Sequence, residues 1–243
     1  MFCLKQILSR VRSACDKYSM IGEGDRIAVG VSGGKDSVAL LVALAEMRRF
    51  YPKRYEVEAI MMDPCFDGAE NDYTLIEELC KKINVDYRIK RTNLWQVVFD
   101  ERKESNPCSL CAKMRRGILH DMCIEDGCNK LALGHHLDDA AETFFINLLS
   151  GGSISCFSPV TYLSRKDLYV IRPLVLTKEN MVESAVRRLK LPIVKSRCPS
   201  DKCSERQTVK LLIKELENDY PALREKIISA MQKGKISGWD ERN

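Results

Sequence analysis

Arg26-Ile-Ala-Val-Gly-Val-Ser-Gly-Gly-Lys-Asp-Ser37 is the stretch that decides the fold. Arg26 to Val31 is a short apolar run bounded by Gly24 and by the Ser-Gly-Gly turn, the pattern of a buried strand. Asp36 to Phe50 follows with apolar residues at Val38, Leu41, Val42, Ala45 and Met47, which is a helical spacing. The two glycines between strand and helix let the backbone turn tightly and come close to a ligand. Backbone N–H groups at such a turn, together with the N-terminus of the next helix, favour an anion. Ser32 and Ser37 add hydroxyls and Lys35 adds positive charge. Asp36 fits beside an anion only if it serves a magnesium ion or orients the loop. The spacing differs from Walker A, which places four residues between its first glycine and Gly-Lys-Ser/Thr.

Working outward, the same alternation continues. Strands are expected at Tyr55 to Met62, Val85 to Lys90, Lys130 to Leu133 and Leu168 to Ile171. Helices are expected at Asp72 to Ile83, Ala112 to Gly127, Asp138 to Leu149 and Thr177 to Lys190. Strand–helix repetition at this spacing predicts a parallel sheet with helices on both faces, a doubly wound α/β fold. Beyond about residue 195 the pattern turns all-helical. Ser204 and Gln207 make a capping-box pair opening a helix through Leu216, Asp219-Tyr220-Pro221 breaks it, and a second helix runs over Ala222 to Lys233. Residues 1–24 read as a basic amphipathic helix, with Phe2, Leu4, Ile7, Leu8, Val11 and Cys15 on one face. The expected organisation is therefore 1–24, an α/β domain over 25–194, and a helical segment over 195–243.

Composition narrows the class. With 45% apolar and 30% charged residues the chain is that of a folded protein rather than a disordered one. No apolar run is long enough to cross a bilayer, and the N-terminus lacks the uninterrupted apolar core of a signal peptide. Eleven cysteines, an odd count without an export signal, argue against a disulfide framework and for free thiols in the cytoplasm. A net charge of +5 permits an RNA partner without requiring one.

A second loop follows the fourth expected strand: Leu131-Ala-Leu-Gly-His-His-Leu-Asp-Asp-Ala-Ala-Glu-Thr143. Gly134 permits a close turn at the strand's C-terminal end, where ligands of open α/β sheets bind. Asp138 and Asp139 open the next helix, favoured there by its dipole and suited to hold magnesium. Asp63, at the end of the second strand, either lines the same site or simply ends the strand before Pro64. Cys108-Ser-Leu-Cys111 is the chain's C-x-x-C, followed by Lys113, Arg115 and Arg116. Positive neighbours and a helix N-terminus lower a thiol's pKa, and the spacing suits one metal centre or a reversible disulfide. Arg115 and Arg116 can contact RNA phosphates or form a solvated helix face.

Ser-Gly-Gly-Lys-Asp-Ser resembles the SGGxDS signature of the PP-loop ATP pyrophosphatases, and the second loop resembles the GHHxDDxxET element of PP-loop enzymes that act on tRNA. Cys-Ser-Leu-Cys-Ala-Lys-Met-Arg-Arg-Gly-Ile-Leu resembles a stretch of the tRNA 2-thiocytidine synthetase (TtcA) family, and Gly151-Gly152, Arg172-Pro173-Leu174 and Cys198-Pro199 match further landmarks. The resemblance spans roughly residues 26 to 207. It implies an adenine nucleotide alpha hydrolase-like fold and an enzyme that adenylylates a tRNA base oxygen with ATP and replaces it by sulfur. It implies nucleotide contacts at Gly30, Ser32, Gly33, Gly34, Lys35, Asp36, Ser37, Asp63, Gly134, His135 and Asp138, with Lys35, Asp36 and Asp139 catalytic and Asp138 and Asp139 on magnesium. It also implies a [4Fe-4S] cluster on Cys108, Cys111 and Cys198. Cys203, five residues on, is the alternative third ligand or a closing fourth. The partners it allows are tRNA, a sulfur donor such as a cysteine desulfurase or sulfide, and a second copy in a homodimer. Two other readings stand beside it: a PP-loop enzyme thiolating another base or a small molecule, and a nucleotide-binding redox sensor using Cys108 and Cys111.

Overall fold

The computed structural model describes residues 2–101, 107–195, 197–198 and 205–240. Strands β1 (Asp25–Val31), β2 (Tyr55–Asp63), β3 (Asp86–Arg91), β4 (Lys130–Ala132), β5 (Val160–Leu163) and β6 (Leu168–Ile171) form one sheet in the order β3-β2-β1-β4-β6-β5. All neighbours pair in parallel except β5 and β6, which form an antiparallel edge hairpin. Consecutive crossovers run from β1 outward to β2 and β3, whereas β4 lies on the other side of β1. The sheet's winding therefore reverses between β1 and β4, and the crevice above their C-terminal ends is where such sheets bind ligands.

The helices are α1 (Phe2–Lys17), α2 (Lys35–Met47), α3 (Thr74–Lys82), α4 (Pro107–Glu125), α5 (Leu137–Leu149), α6 (Glu179–Leu189), α7 (Glu205–Asp219) and α8 (Leu223–Lys233). Alternation along β1 separates the two faces of the sheet. Ile27, Val29 and Val31 enter the larger core, while Ala28 joins Ile60 and Leu131 against Met122 and Cys123 of α4. Burial on both faces explains why β1 reads as a continuous apolar run. Helix α2 is covered nearly all round, with the residues from Ser37 to Met47 other than Glu46 buried, so its N-terminus is held against the sheet's end.

The larger core extends beyond the α/β elements. Ile7, Val11, Ala14 and Cys15 of α1 and Tyr18 just after it belong to it, as do Val209 and Ile213 of α7 and Ile227, Ile228 and Met231 of α8. Trp239 is fully buried there; its indole N–H donates to the Phe157 carbonyl at 2.9 Å and its ring meets Tyr18 edge-on. Helix α4 begins at Pro107, five residues before the expected Ala112, so both cysteines of the C-x-x-C lie inside its first turns. Ser204, the expected cap of α7, lies outside the described residues. Among the described residues, no helix is long and apolar enough to cross a membrane.

Candidate active site

A cavity of about 360 Å³ opens above the reversal between β1 and β4. Its walls are Gly30 near the end of β1, Ser32 and Gly34 from the loop after it and Asp36 and Ser37 in the first turn of α2, with Leu133, Gly134 and His135 from the loop after β4 and Asp139 in the first turn of α5. Helix α4 closes the third side with Ala112, Arg115, Arg116 and Leu119. A larger cleft of about 520 Å³ lies at the opposite end of the strands, lined by Arg26, Glu56, Glu58 and Lys81 among others. Size does not decide between them: the C-terminal ends of the strands carry the glycine loops and the helix N-termini.

The first loop is shaped by its own hydroxyls. The Ser32 N–H donates to Ser37 Oγ at 3.1 Å, Ser37 Oγ donates to the Gly34 carbonyl at 2.9 Å, and the two hydroxyls lie 3.2 Å apart. Gly33 adopts φ +81°, and its carbonyl accepts from the Val194 N–H at 3.0 Å. A Cβ at Gly33 would sit 3.0 Å from the Val194 Cβ, so the residue is glycine for space as well as conformation. Gly34, the N-cap of α2, brings no side chain to cap the helix. The first turn of α2 is thus left for an anion to cap.

Lys35 does not line the cavity. Its ammonium lies between Asp36 (3.0 Å) and Glu179 (2.9 Å), and Lys210 holds the other Glu179 oxygen at 2.6 Å. Burial works against the Lys35 charge, but Asp36 and Glu179 more than offset it and raise the pKa. In Glu179, burial raises the pKa while Lys210 and Lys35 pull it down further, to about 2.

In the second loop, Gly134 touches the first. A Cβ there would meet the Ser37 amide nitrogen at 3.0 Å and the Asp36 carbonyl carbon at 3.1 Å. His136 caps α5 reciprocally: its N–H donates to Asp139 Oδ2 at 2.9 Å, and the Asp139 N–H donates to His136 Nδ1 at 3.2 Å. His135 lines the cavity, packs on Phe157 with ring centroids 5.1 Å apart, and has no partner for Nδ1. Burial, then the nearby Arg172 guanidinium, push its pKa down to about 4, so the ring is neutral.

The carboxylates expected on one ion separate. Asp139 faces the cavity, with Oδ1 taken by Arg206 at 3.1 Å. Asp138 turns the other way, accepting from the Glu179 N–H at 2.7 Å and pairing with Arg224 at 3.1 Å. Asp63 is fully buried outside the cavity wall. Both its oxygens are used, by the Asn71 N–H and side-chain amide and by the Cys65 N–H, so it closes the loop after β2.

Cys108 is exposed and Cys111 buried, one turn apart on α4. The Cys111 thiol is pushed up by burial; Arg115 pulls it down, and charge on Cys198 or Cys108 raises it again. The expected low pKa is thus corrected for Cys111, because burial outweighs Arg115 in the metal-free thiol. Cys198, half-buried, comes within electrostatic reach of Cys111 although the two are far apart in sequence. Among the described residues, no three His, Cys, Asp or Glu side chains gather tightly enough for one metal ion. Cys108 and Cys198 are thus the two thiols whose charge reaches Cys111. Cys203 lies outside the described residues.

Several site residues escaped sequence reasoning. Arg115 and Arg116, read as RNA contacts or solvated charges, wall the cavity beside the phosphate loop. The signal was present: Arg115 follows Cys111 by four residues, which puts both on one helix face. Glu179, Arg206 and Lys210 carried no such local mark, and Glu142, the glutamate of the quoted GHHxDDxxET element, was given no role.

The PP-loop domain family matches residues 5–216. The tRNA-cytidine(32) 2-sulfurtransferase of Syntrophotalea carbinolica is 38% identical over 230 residues, covering 93% of this chain and 88% of that one. The enzyme of the same name from Citrifermentans bemidjiense is 36% identical, covering 93% and 89%. Among solved structures, the U34-tRNA thiolase NcsA from Methanococcus maripaludis with its [4Fe-4S] cluster superposes with a TM-score of 0.78 at 27% identity, covering 95% and 78%. NMN synthetase from Francisella tularensis shares the fold, with a TM-score of 0.50 at 13% identity over 88% and 85% of the two chains.

Proposed function

The chain belongs to the PP-loop family and, within it, to the tRNA-cytidine(32) 2-sulfurtransferases, and we propose that it replaces the C2 oxygen of a tRNA cytidine by sulfur at the expense of ATP. It is an ATP-dependent tRNA-thiolating enzyme whose cofactors are Mg²⁺ and a [4Fe-4S] cluster. The observation that carries the residue assignment is the shared wall: the α4 turn that follows Cys108 and Cys111 also faces the phosphate loop.

The chemistry divides into two displacements. The cytidine C2 oxygen attacks the ATP α-phosphorus, forming an O–P bond as pyrophosphate leaves. A sulfur nucleophile then adds at C2 and AMP departs with that oxygen. The backbone of Gly33 and Gly34, with the Ser32 and Ser37 hydroxyls, receives the triphosphate at the N-terminus of α2. Arg115 and Arg116 supply fixed cations to the departing phosphates, the role the sequence suggested for Lys35. Lys35 instead fixes Asp36 against the cavity. Asp36 and Asp139 are the carboxylates on the wall that can take magnesium, which keeps few protein ligands and binds phosphate oxygens. Neutral His135, Gly30 and Gly134 border the space for the nucleoside.

Cys108, Cys111 and Cys198 would hold the cluster, and with three protein thiolates it would supply the site with an iron able to bind sulfur. The sulfur comes from a cysteine desulfurase or from sulfide, and the enzyme works in the cytoplasm, alone or as a homodimer. The test is anaerobic purification with iron and sulfide analysis, followed by nucleoside mass spectrometry of tRNA from a deletion strain carrying each variant. Cys108→Ala, Cys111→Ala and Cys198→Ala each lose iron, brown colour and 2-thiocytidine. Retained iron in Cys198→Ala with loss in Cys203→Ala would move the third ligand. Appearance of a thiouridine in place of 2-thiocytidine would refute the substrate.

A further inference from the structure

Arg206 stands where a metal ion would be expected. Asp139 is the cavity-facing carboxylate of α5, and the backbone N–H of His136 fixes its Oδ2, leaving Oδ1 toward Arg206 Nη1 at 3.1 Å. Glu142, one turn further along α5, is 2% exposed. Its Oε2 lies 3.4 Å from the same Nη1, and its Oε1 is buried without a partner. The second guanidinium nitrogen donates to Thr143 Oγ1 at 3.2 Å. One cation therefore bridges a carboxylate on the cavity wall and a carboxylate directly behind it. Asp138, expected from sequence to be the second carboxylate on magnesium, is engaged by α6 and Arg224.

Arg206 also ties this site to another part of the chain. It lies in the first turn of α7, eight residues after Cys198. One turn along, Lys210 holds Glu179, which holds Lys35 of the phosphate loop. Helix α7 thus grips the nucleotide site twice, at adjacent turns, through charge pairs that a divalent ion would rearrange.

We propose that Arg206 is a placeholder cation. It neutralises Asp139 and Glu142 in the nucleotide-free enzyme and is displaced when a divalent ion takes these carboxylates together with the nucleotide. The proposal rests on the phosphate-loop reading of the cavity, puts Glu142 in place of Asp36 as the carboxylate that joins Asp139 on the metal, and adds a link from metal loading to the chain that carries Cys198. A guanidinium and a doubly charged ion repel at this range, so the two compete for the same carboxylate oxygens. The displacement loosens the first turn of α7, and nucleotide occupancy is transmitted toward the cysteine eight residues away.

The test uses the full-length holoprotein, handled anaerobically, with Mn²⁺ as the probe and free Mn²⁺ counted by electron paramagnetic resonance. Without nucleotide, Arg206→Ala binds Mn²⁺ roughly tenfold more tightly than wild type, an ordinary size for a coupling between sites. Arg206→Lys behaves like wild type. With a non-hydrolysable ATP analogue the gap between Arg206→Ala and wild type narrows. Amide exchange in the first turn of α7 speeds up in wild type only when Mn²⁺ and the analogue are both present. Equal Mn²⁺ affinity in wild type and Arg206→Ala, with both binding the analogue, overturns the proposal and leaves the phosphate-loop reading intact. Failure of the wild type to bind the analogue overturns both. If Arg206→Ala does not fold, Glu142→Gln serves instead. It weakens Mn²⁺ binding in the analogue complex by roughly tenfold, and unchanged binding overturns the assignment.

Discussion

Replacing Gly134 by alanine adds one carbon where the loop after β4 meets the first turn of α2. That carbon would lie 3.0 Å from the Ser37 amide nitrogen, 3.1 Å from the Asp36 carbonyl carbon and 3.3 Å from its oxygen. All three are backbone atoms, so no flexible side chain can swing aside, and the chain must give by a few tenths of an ångström. Neither side yields readily: β4 is paired on both edges, and α2 is buried nearly all round. Overpacking of this kind costs about 1–3 kcal/mol. At about 2–4 °C per kcal/mol for a chain of this size, the melting temperature falls by about 2–12 °C. The strain falls on the backbone proposed to receive phosphate. Loss of one hydrogen bond to a charged group weakens binding of a fluorescent ATP analogue by about ten- to a hundredfold. Gly117→Ala is the matched control. It lies in the interior of α4 with nothing within 4 Å of the added carbon, so stability rises by about 0.5–1 kcal/mol and analogue binding is unchanged. A Gly134→Ala protein that melts and binds like wild type would refute the claim that the two loops are in backbone contact at the phosphate site.

Two further perturbations test the charge network and the core. The Glu179 carboxyl is held down to about 2 by Lys210 and Lys35 despite burial, so its stabilising contribution is present above the unfolded value of about 4.3 and is lost as pH falls from there toward 2. Glu179→Gln should therefore differ from wild type in urea unfolding at neutral pH and converge with it in acid; a difference independent of pH would contradict the pairing. Trp239→Ala empties a fully buried site and strands the Phe157 carbonyl, at a cost of about 3–5 kcal/mol, read as a lower urea midpoint. A midpoint within error of wild type would show that the C-terminal segment does not share the core.

The strands of the parallel sheet were legible because burial on both faces writes each as a short apolar run between turn residues. The expected strands at 55–62 and 168–171 fall within one residue of β2 and β6. Strand β5 was missed. It is four residues long, and its hairpin turns without glycine, with Asp167 taking φ +45° instead. The early start of α4 carried a usable signal in Pro107, because proline suits the first position of a helix. The glycine loops and the C-x-x-C were readable because their chemistry is local in sequence. Asp63 and Asp138 illustrate the converse: a carboxylate at a strand end or helix start is equally suited to ligand and to backbone, and here backbone N–H groups hold both. The partners of the site were out of reach of any local pattern. Lys35 meets Glu179 across 144 positions and Asp139 meets Arg206 across 67, contacts that exist only once α6 and α7 fold back.

Helix α4 acts as a ruler. Cys111 and Arg115 are four residues apart on one rod, a rise of about 6 Å fixed by helix geometry. The distance from the sulfur-bearing end to the phosphate end is therefore set by a count of residues rather than by a hinge. One inserted residue in that turn would rotate one chemistry away from the other by about 100°. On the proposed assignment of Cys111 and Arg115, substitutions along this segment have graded effects, whereas any change in its length would separate activation from sulfur delivery in a single step.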